Sequence, residues 1–572
     1  MPLTKVRGSV VSEYASVAEM EAEASLSDGQ ECKTLGYYAK GDGGHGTYRY
    51  DSGSSATVNG GTVINAAGGR FLLLYGDSIN IEQFGAVADG VTDNAAQIQA
   101  AWDLSSASGG LRIEAGSGVF VVGASLTAKS NLNFKGSGNS TVIKGVFSVA
   151  TNRILTSSAS VLQENITLEG FTIDRRGANA QHGAIFGGVK NFIFRDISII
   201  GPTNPTIACG AVGFSPFSVY ADIQSENVVV ENIYLEASNN FGIAFGNVKG
   251  GSITKVYSKN CYREIIGLEA DGGVSSVIEG VTVSDCYLVA TQDPQYNFGG
   301  SIGPVVFIGS GATGGAIRNC TFKDSIIEVI SNITDSAYHG VAVVGGSVNA
   351  AEKITLAGLV INTPTGLGIN IGAVGSITRD VSLKDITING AGVATTGGAA
   401  CVHVRNATGV TLAGLLAAGT THTYWVEESS ASNSNSYYDL YGATPTISAS
   451  LIVGALSKFS ARDVAQFKGG ALLIQTSGAV ADQGTFTFPL VASSGRAIYR
   501  IVGNFGDGDY GSFHIFSGTV QIIYNGSNTL IAAANPDTPG KLNVYLTSNA
   551  VSIKNRLGST RVFALESLST NF

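Results

Sequence analysis

The sequence predicts an all-β fold, a right-handed parallel β-helix with a small N-terminal head segment and a C-terminal β-sandwich. Composition points first to strands. Only 13% of residues are charged, and Gly supplies 76 of 572. Low charge with abundant Gly and β-branched residues suits short strands joined by tight turns. The 44% hydrophobic content is enough for a large core and unlike that of a disordered chain. Periodicity points further. From residue 165 the pattern apolar-x-apolar-x-x-apolar-x-apolar recurs, as ITLEGFTI, FIFRDISI, VVVENIYL, IEGVTV, ITLAGLVI, VSLKDITI and VTLAGLL. The x-x step breaks a period-2 alternation and implies a bend between two short strands. A second short strand accompanies most copies, for example FGIAFGN, EIIGLEA, PVVFIG and CVHVR. Two or three strands every 23–39 residues describe one solenoid coil, which must stack on its neighbours to bury its apolar face.

The elements follow in chain order. Residues 1–80 form a head segment, and residues 81–145 a capping helix with the first coils. Within the latter, Asp93 or Thr92 can N-cap a helix over Ala95–Leu104 that ends before SSASGG. Its Ile98, Ala101 and Trp102 make an apolar stripe fit to cover the open end of a solenoid. Coils occupy 146–425, and 426–572 alternates apolar and polar residues between Gly and Asn-Gly turns, as a β-sandwich does. Asn260-Cys261-Tyr262 and Asp285-Cys286-Tyr287 recur at an offset of 25; if that is one coil, Cys261 lies under Cys286 and Tyr262 under Tyr287.

Two stretches resemble a known family. FGAVADGVTDNAAQIQAAWD with GGLRIEAGSGVFVV and LNFKGSG is similar to the opening motif of pectate-lyase-like β-helices, as found in bacteriophage tailspikes. LTKVRGSVVSEYASVAEME with DGQECKTLGYYAKGDGGHGTYRYD resembles the head of phage tailspike depolymerases. The resemblance implies a homotrimer in the virion tail, joined to other phage tail proteins through its N-terminal segment. It also implies cleavage of a bacterial surface polysaccharide, and it carries over no fixed catalytic set.

Charge and motifs exclude other classes. A net charge of −9, without any Lys/Arg cluster, argues against nucleic acid or an anionic membrane as partner. No apolar run reaches the roughly 18–20 residues of a membrane-inserted helix. The N-terminus lacks a signal-peptide pattern, so synthesis in a host cytoplasm is expected. Six cysteines without CxxC spacing indicate buried thiols and no metal site. GDGGHG reads as a turn, since no Lys-Ser/Thr follows it. No cofactor is implied.

Glycan hydrolysis needs two carboxyls flanking a groove. In VYADIQSE the alternation turns Tyr220, Asp222, Gln224 and Glu226 outward. In FGIAFGN it turns out Gly242, Ala244 and Gly246, and in EIIGLEA Ile265, Gly267 and Glu269. A bare strip between polar coils leaves room for a sugar. Glu269 opposite Asp222 or Glu226 is the leading catalytic pair, their backbones about 9–10 Å apart if two coils separate them. Glu264 and Asp271 are alternatives for the second carboxyl, and Glu236 is a weaker one. Tyr296 and Phe298, with Phe214 and Phe217, lie in long insertions suited to sugar stacking. Arg175, Arg176 and Arg263 suit a uronate carboxylate. Tyr262 with Arg263 makes a lyase tenable, by proton abstraction beside a uronate. A spike that binds without cleaving is the third class.

Overall fold

The computed structural model describes residues 11–149 and most of 152–418, together with separate strands from Tyr424 to Ser569. Residues 202–209, 216–222, 263, 271–274, 292–302, 311–313, 331–338, 363–366 and 391–399 are the main stretches outside the described set.

Residues 12–73 form a five-stranded sheet. Glu31–Thr34, Gly46–Asp51, Gly69–Leu73 and Val63–Ala66 pair antiparallel in that order, and Ser12–Tyr14 adds a parallel edge to Glu31–Thr34. GDGGHG is a turn clamped by Asp42, whose carboxylate accepts the amides of Tyr37, Tyr38, Ala39 and Gly44. This turn seats the head on the next element. A Cβ on Gly44 would fall 2.4 Å from the Glu82 carbonyl oxygen, so only Gly fits there.

The capping helix is Ala95–Ala107. It runs three residues past Leu104, through the serines expected to end it, because the buried Ser105 hydroxyl donates to the Leu111 carbonyl. Asn94, fully buried, occupies the N-cap, while Asp93 accepts the amides of Ala95 and Gly123. Trp102 lies 5.3 Å from Phe134, which lies 5.4 Å from Phe171, so the helix plugs the end of the solenoid.

Each coil contains a long strand bent in its middle and a short strand on a third face. Gln163–Asp174, Val189–Ile200, Ser225–Glu236 and Val248–Lys259 are successive long strands in parallel register. The coil lengths there are 26, 36 and 23 residues, from Ile166 to Phe192, Val228 and Gly251. The bend falls at the second residue of the x-x step, where Gly170, Asp196, Asn232, Lys255, Asp285, Asp324, Gly358, Asp385 and Gly414 all take φ between 49° and 77°. Gly and Asx tolerate that left-handed region best, which is why they recur there. A second left-handed column precedes the repeat. In it the Asn191 amide donates to Asn165, and that of Asn227 to Asn191, at 3.1 and 3.2 Å.

The solenoid extends beyond residue 425. Tyr424–Glu428 continues the third face, and Ser436–Gly442 and Lys458–Ala461 continue the others, all in parallel pairing. The polar segment that suggested an end falls in sequence across two of these strands, Tyr424–Glu428 and Ser436–Gly442. Residues 472–569 then form two sheets, of five and four strands, with mostly antiparallel pairing.

The Cys-Tyr repeat has a different register from the one expected. Tyr287 pairs with Tyr257, and Cys261 bridges Ala290. Asn260 and Asp285 are both left-handed, at φ 56° and 57°, but Asp285 marks the mid-strand bend and Asn260 the following corner. The matched dipeptides therefore occupy different stations of the coil. The expectation of buried thiols holds for Cys32, Cys261, Cys286, Cys320 and Cys401.

Candidate functional site

Alternation sends every second residue of a strand outward, so each face of the solenoid carries columns of stacked side chains about 4.8 Å apart. One column at the start of the long strands reads Glu164, Lys190, Glu226, Lys249, Glu279, Arg318, Glu352 and Arg379. The signs alternate without exception. Glu226 pairs with Lys190 at 3.1 Å, Glu279 with Arg318 at 3.1 Å and Glu352 with Arg379 at 2.6 Å. Arg318 holds the Glu279 carboxyl below its usual range. Glu226 is thus a rung of an ion ladder. Gln224 donates to the Asn247 side chain at 3.1 Å, just before this column.

The third face differs from its reading in sequence. Ile266 and Leu268 do face the core, but so does Ile265, which is fully buried in the main cluster. A Cβ on Gly242 would meet the core residue Leu235 at 2.9 Å, so that position also points inward, at a corner where alternation fails. Gly213, Ala244 and Gly267 do share one outer column. The strip is not bare, however. Ala244, only 5% exposed, packs in a separate apolar cluster with Ile185 and Phe241. Glu269 follows outward, and its carboxylate lies over Gly267, where a Cβ would stand 2.5 Å from Oε1. The next coil places Phe307 beside Gly267 and Gly309 beside Glu269. Glu264 opens the same strand, and its carboxylate lies near Gly303.

Other assignments change with burial. Arg175 is fully buried and donates to the Gly210 carbonyl at 2.9 Å, so it is a core residue and not a sugar contact. Its charge and burial push His182 down to about 4, burial being the larger cause. Tyr262, at 4% exposure, is also interior, which removes the basis for a lyase built on it. Phe214 is fully buried within a Phe stack, 5.3 Å from Phe186. Tyr220, Asp222, Arg263, Asp271, Tyr296 and Phe298 lie outside the described residues, as does Phe217.

The second face, past the bend, brings the candidates Glu236 and Arg176 together with groups that the sequence reading missed. Tyr234, Tyr257 and Tyr287 stack in one outward column, with ring centroids 5.7 and 5.5 Å apart and planes within 13°. Tyr257 is 45% exposed. The next outward column runs Asp174, Ile200, Glu236 and Lys259, with Val289 and Glu328 above. The Tyr234 hydroxyl donates to Glu236 Oε2 at 3.1 Å, and the Tyr287 hydroxyl donates to Glu328. Burial and the adjacent Glu236 push the Tyr234 phenol up to about 12, so it stays a donor. Arg176 grips Asp174 through two bonds of 2.9 Å, which, against the cost of burial, hold that carboxyl below its usual range. This face therefore offers aromatic edges, ionised and hydrogen-bonded carboxylates, and a lysine, which together suit a polar, ring-shaped ligand. It was legible as a Tyr two residues after the bend in VVVENIYL, SITKVYS and VSDCYL.

Residues 13–76 match the family described as phage tail protein small four-stranded beta-sheet domain, and residues 78–316 match rhamnogalacturonase A/epimerase, pectate lyase-like. No curated protein matches the sequence. Among solved structures, the chain is similar to the tailspike gp42 of Acinetobacter phage vb_AbaP_AS12, at 12% identity and TM-score 0.55, covering 93% of this chain and 97% of that one. It is also similar to tailspike gp49 of Acinetobacter baumannii bacteriophage Fri1, described as a capsular polysaccharide depolymerase, at 13% identity and TM-score 0.50, covering 98% of both chains.

Proposed function

We propose that this chain, which joins a phage-tail β-sheet domain to a pectate-lyase-like solenoid in the manner of phage tailspikes, binds and depolymerises a bacterial surface polysaccharide. It acts in the virion tail as a homotrimer, attached to other tail proteins through the head sheet. The observation that carries the enzymatic reading is the second face, where three stacked tyrosines adjoin Asp174, Glu236 and Glu328. In sequence, more residues separate the strand ends Ile200, Ala290 and Val329 from the next strands, at Val212, Val306 and Val341, than separate Glu236 from Phe241, and connecting segments on a rigid frame are the usual carriers of specificity.

Hydrolysis is the favoured chemistry. Asp174 and Glu236 are separated by one intervening coil, through Ile200, so their backbones stand about 9–10 Å apart. Side chains from such positions can span the ~6.5–9.5 Å used by inverting enzymes. Asp174, kept ionised by Arg176, is the base that activates water. Glu236 is the carboxyl assigned to protonate the leaving oxygen, and the Tyr234 hydroxyl that donates to it stabilises the carboxylate left once that proton has gone. The earlier candidates Glu269 and Glu264 lie on the third face and enter as comparison variants. Elimination is the second reading, favoured by the exposed Tyr257 with Lys259 two residues on, a phenol and a cation on one face.

The test is depolymerisation of purified capsule from a susceptible host strain. Glu236→Gln is expected to lower the rate by at least about 100-fold, within the range given by removing a general acid. Products with new reducing ends and no absorbance near 232 nm identify hydrolysis; that absorbance identifies elimination. Full activity in Glu236→Gln, with activity lost in Glu269→Gln, would move the site to the third face.

A further inference from the structure

The ion ladder is interrupted at one rung, and the interruption coincides with a groove. Glu226 is engaged from below by Lys190 and Glu279 from above by Arg318, so the pairs close away from Lys249, which lies between them. Among the described residues Lys249 makes no ion pair within 4 Å, and it is exposed. Of the charged residues that line the groove, Glu226 and Glu279 are paired with Lys190 and Arg318, which leaves the Lys249 ammonium as the charge not closed onto a partner within 4 Å among the described residues.

The neighbouring left-handed column changes at the same height. Where the coils around them place Asn165, Asn191, Asn227, Asn319, Lys353 and Asp380, these two adjacent coils have Gly250 and Gly280, both at φ 67°; Gly409 is the further glycine of this column, at the far end. Two missing side chains leave a surface groove of about 420 Å³, lined by Glu226, Asn227, Lys249, Gly250, Glu279 and Gly280, with Asn319 closing its far end. Left-handed geometry does not explain the glycines, since Asn satisfies it on the coils below and above. A Cβ on Gly280 would meet nothing within 4 Å.

We propose that this groove is a binding subsite for a carboxylate-bearing sugar, a uronate unit of an acidic polysaccharide, held by the Lys249 ammonium and the amides of Asn227 and Asn319. Glu226 and Glu279 are already neutralised by Lys190 and Arg318 and accept hydrogen bonds from the ring hydroxyls. The glycine floor admits the ring against the backbone. The subsite lies on the first face, across the mid-strand bend from the tyrosines, and adds to the proposed cleaving site a second hold on the same chain of sugars.

The test uses the full chain with free D-glucuronate as probe, D-glucose as the neutral control and saturation-transfer NMR as the readout. Gly280→Asn restores the residue this column carries elsewhere, so it fills the groove without straining the fold, and an unchanged thermal melt verifies this. Lys249→Gln removes only the charge. The expected result is transfer to glucuronate in the wild type and none to glucose, with at least a five-fold loss in either variant. No transfer in the wild type, equal transfer to glucose, or undiminished transfer in either variant overturns the subsite. Glu236→Gln should leave this signal intact while removing depolymerisation, so failure of one reading is distinguishable from failure of the other.

Discussion

Lys353 sits at φ 54° in a column whose other members are Asn, Gly and Asp. An L-residue with a long side chain carries a steric cost there that Asx and Gly lessen. Lys353→Asn is therefore expected to raise stability by about 0.5–1 kcal/mol, read as a higher urea midpoint with an unchanged slope. Glu82 presents the opposite case, a carboxylate placed at a cost. It is 8% exposed, its Oε1 accepts the Gly116 amide at 2.8 Å, and its Oε2 has no partner among the described residues. Burial raises its carboxyl above the usual value, despite the hydrogen bonds that lower it. A group that binds its proton more tightly when folded stabilises fully below its unfolded pKa, and that contribution is lost as pH rises through the folded pKa. Glu82→Gln should thus match the wild type near pH 4 and melt higher near pH 7. A melting difference that is independent of pH would exclude this role.

At the scale of the element, the ion ladder and the bend explain what was readable and what was not. The bend was legible because Gly, Asp and Asn recur at one position of the repeat, and left-handed geometry selects those residues. The ladder was equally present in sequence, since a charged residue stands immediately before each left-handed residue of the second column from Asn165 to Asp380. It emerged only with the register, because coil lengths vary and nothing local fixes which charges become neighbours. The same uncertainty misled the matching of Cys261-Tyr262 with Cys286-Tyr287: identical dipeptides after left-handed Asx residues sit at different bends. Glu269 was correctly turned outward, whereas Ile265 was not, because a corner places two consecutive side chains inward. Glu279→Lys tests the ladder by putting three cations on consecutive rungs. Since these pairs are partly exposed, the expected loss is about 1 kcal/mol, shrinking in 1 M salt as screening removes the repulsion. Trp102→Ala in the capping helix should cost more, about 3–5 kcal/mol, because it opens a cavity against Phe134.

Across the whole molecule, the core is continuous from the head sheet to the last described coils, so the solenoid offers few independent units. Burial pushes Cys261, Cys286 and Cys320 up to about 11 and Cys401 up to about 12. Thiolate, the reactive form, is scarce at such values. These four should resist a thiol reagent at pH 8 in the native protein and react together on denaturation; stepwise labelling along the chain would instead reveal coils that open separately. The variable coil length has a wider consequence. Backbone register is kept at the two left-handed columns, so a coil of 23 residues and one of 36 stack equally well, the extra length falling outside the paired long strands. The frame is thereby indifferent to its cargo. Under the proposed function, a segment exchanged between such chains at one of these positions would change which surface polysaccharide is held, with no compensating change in the fold that carries it.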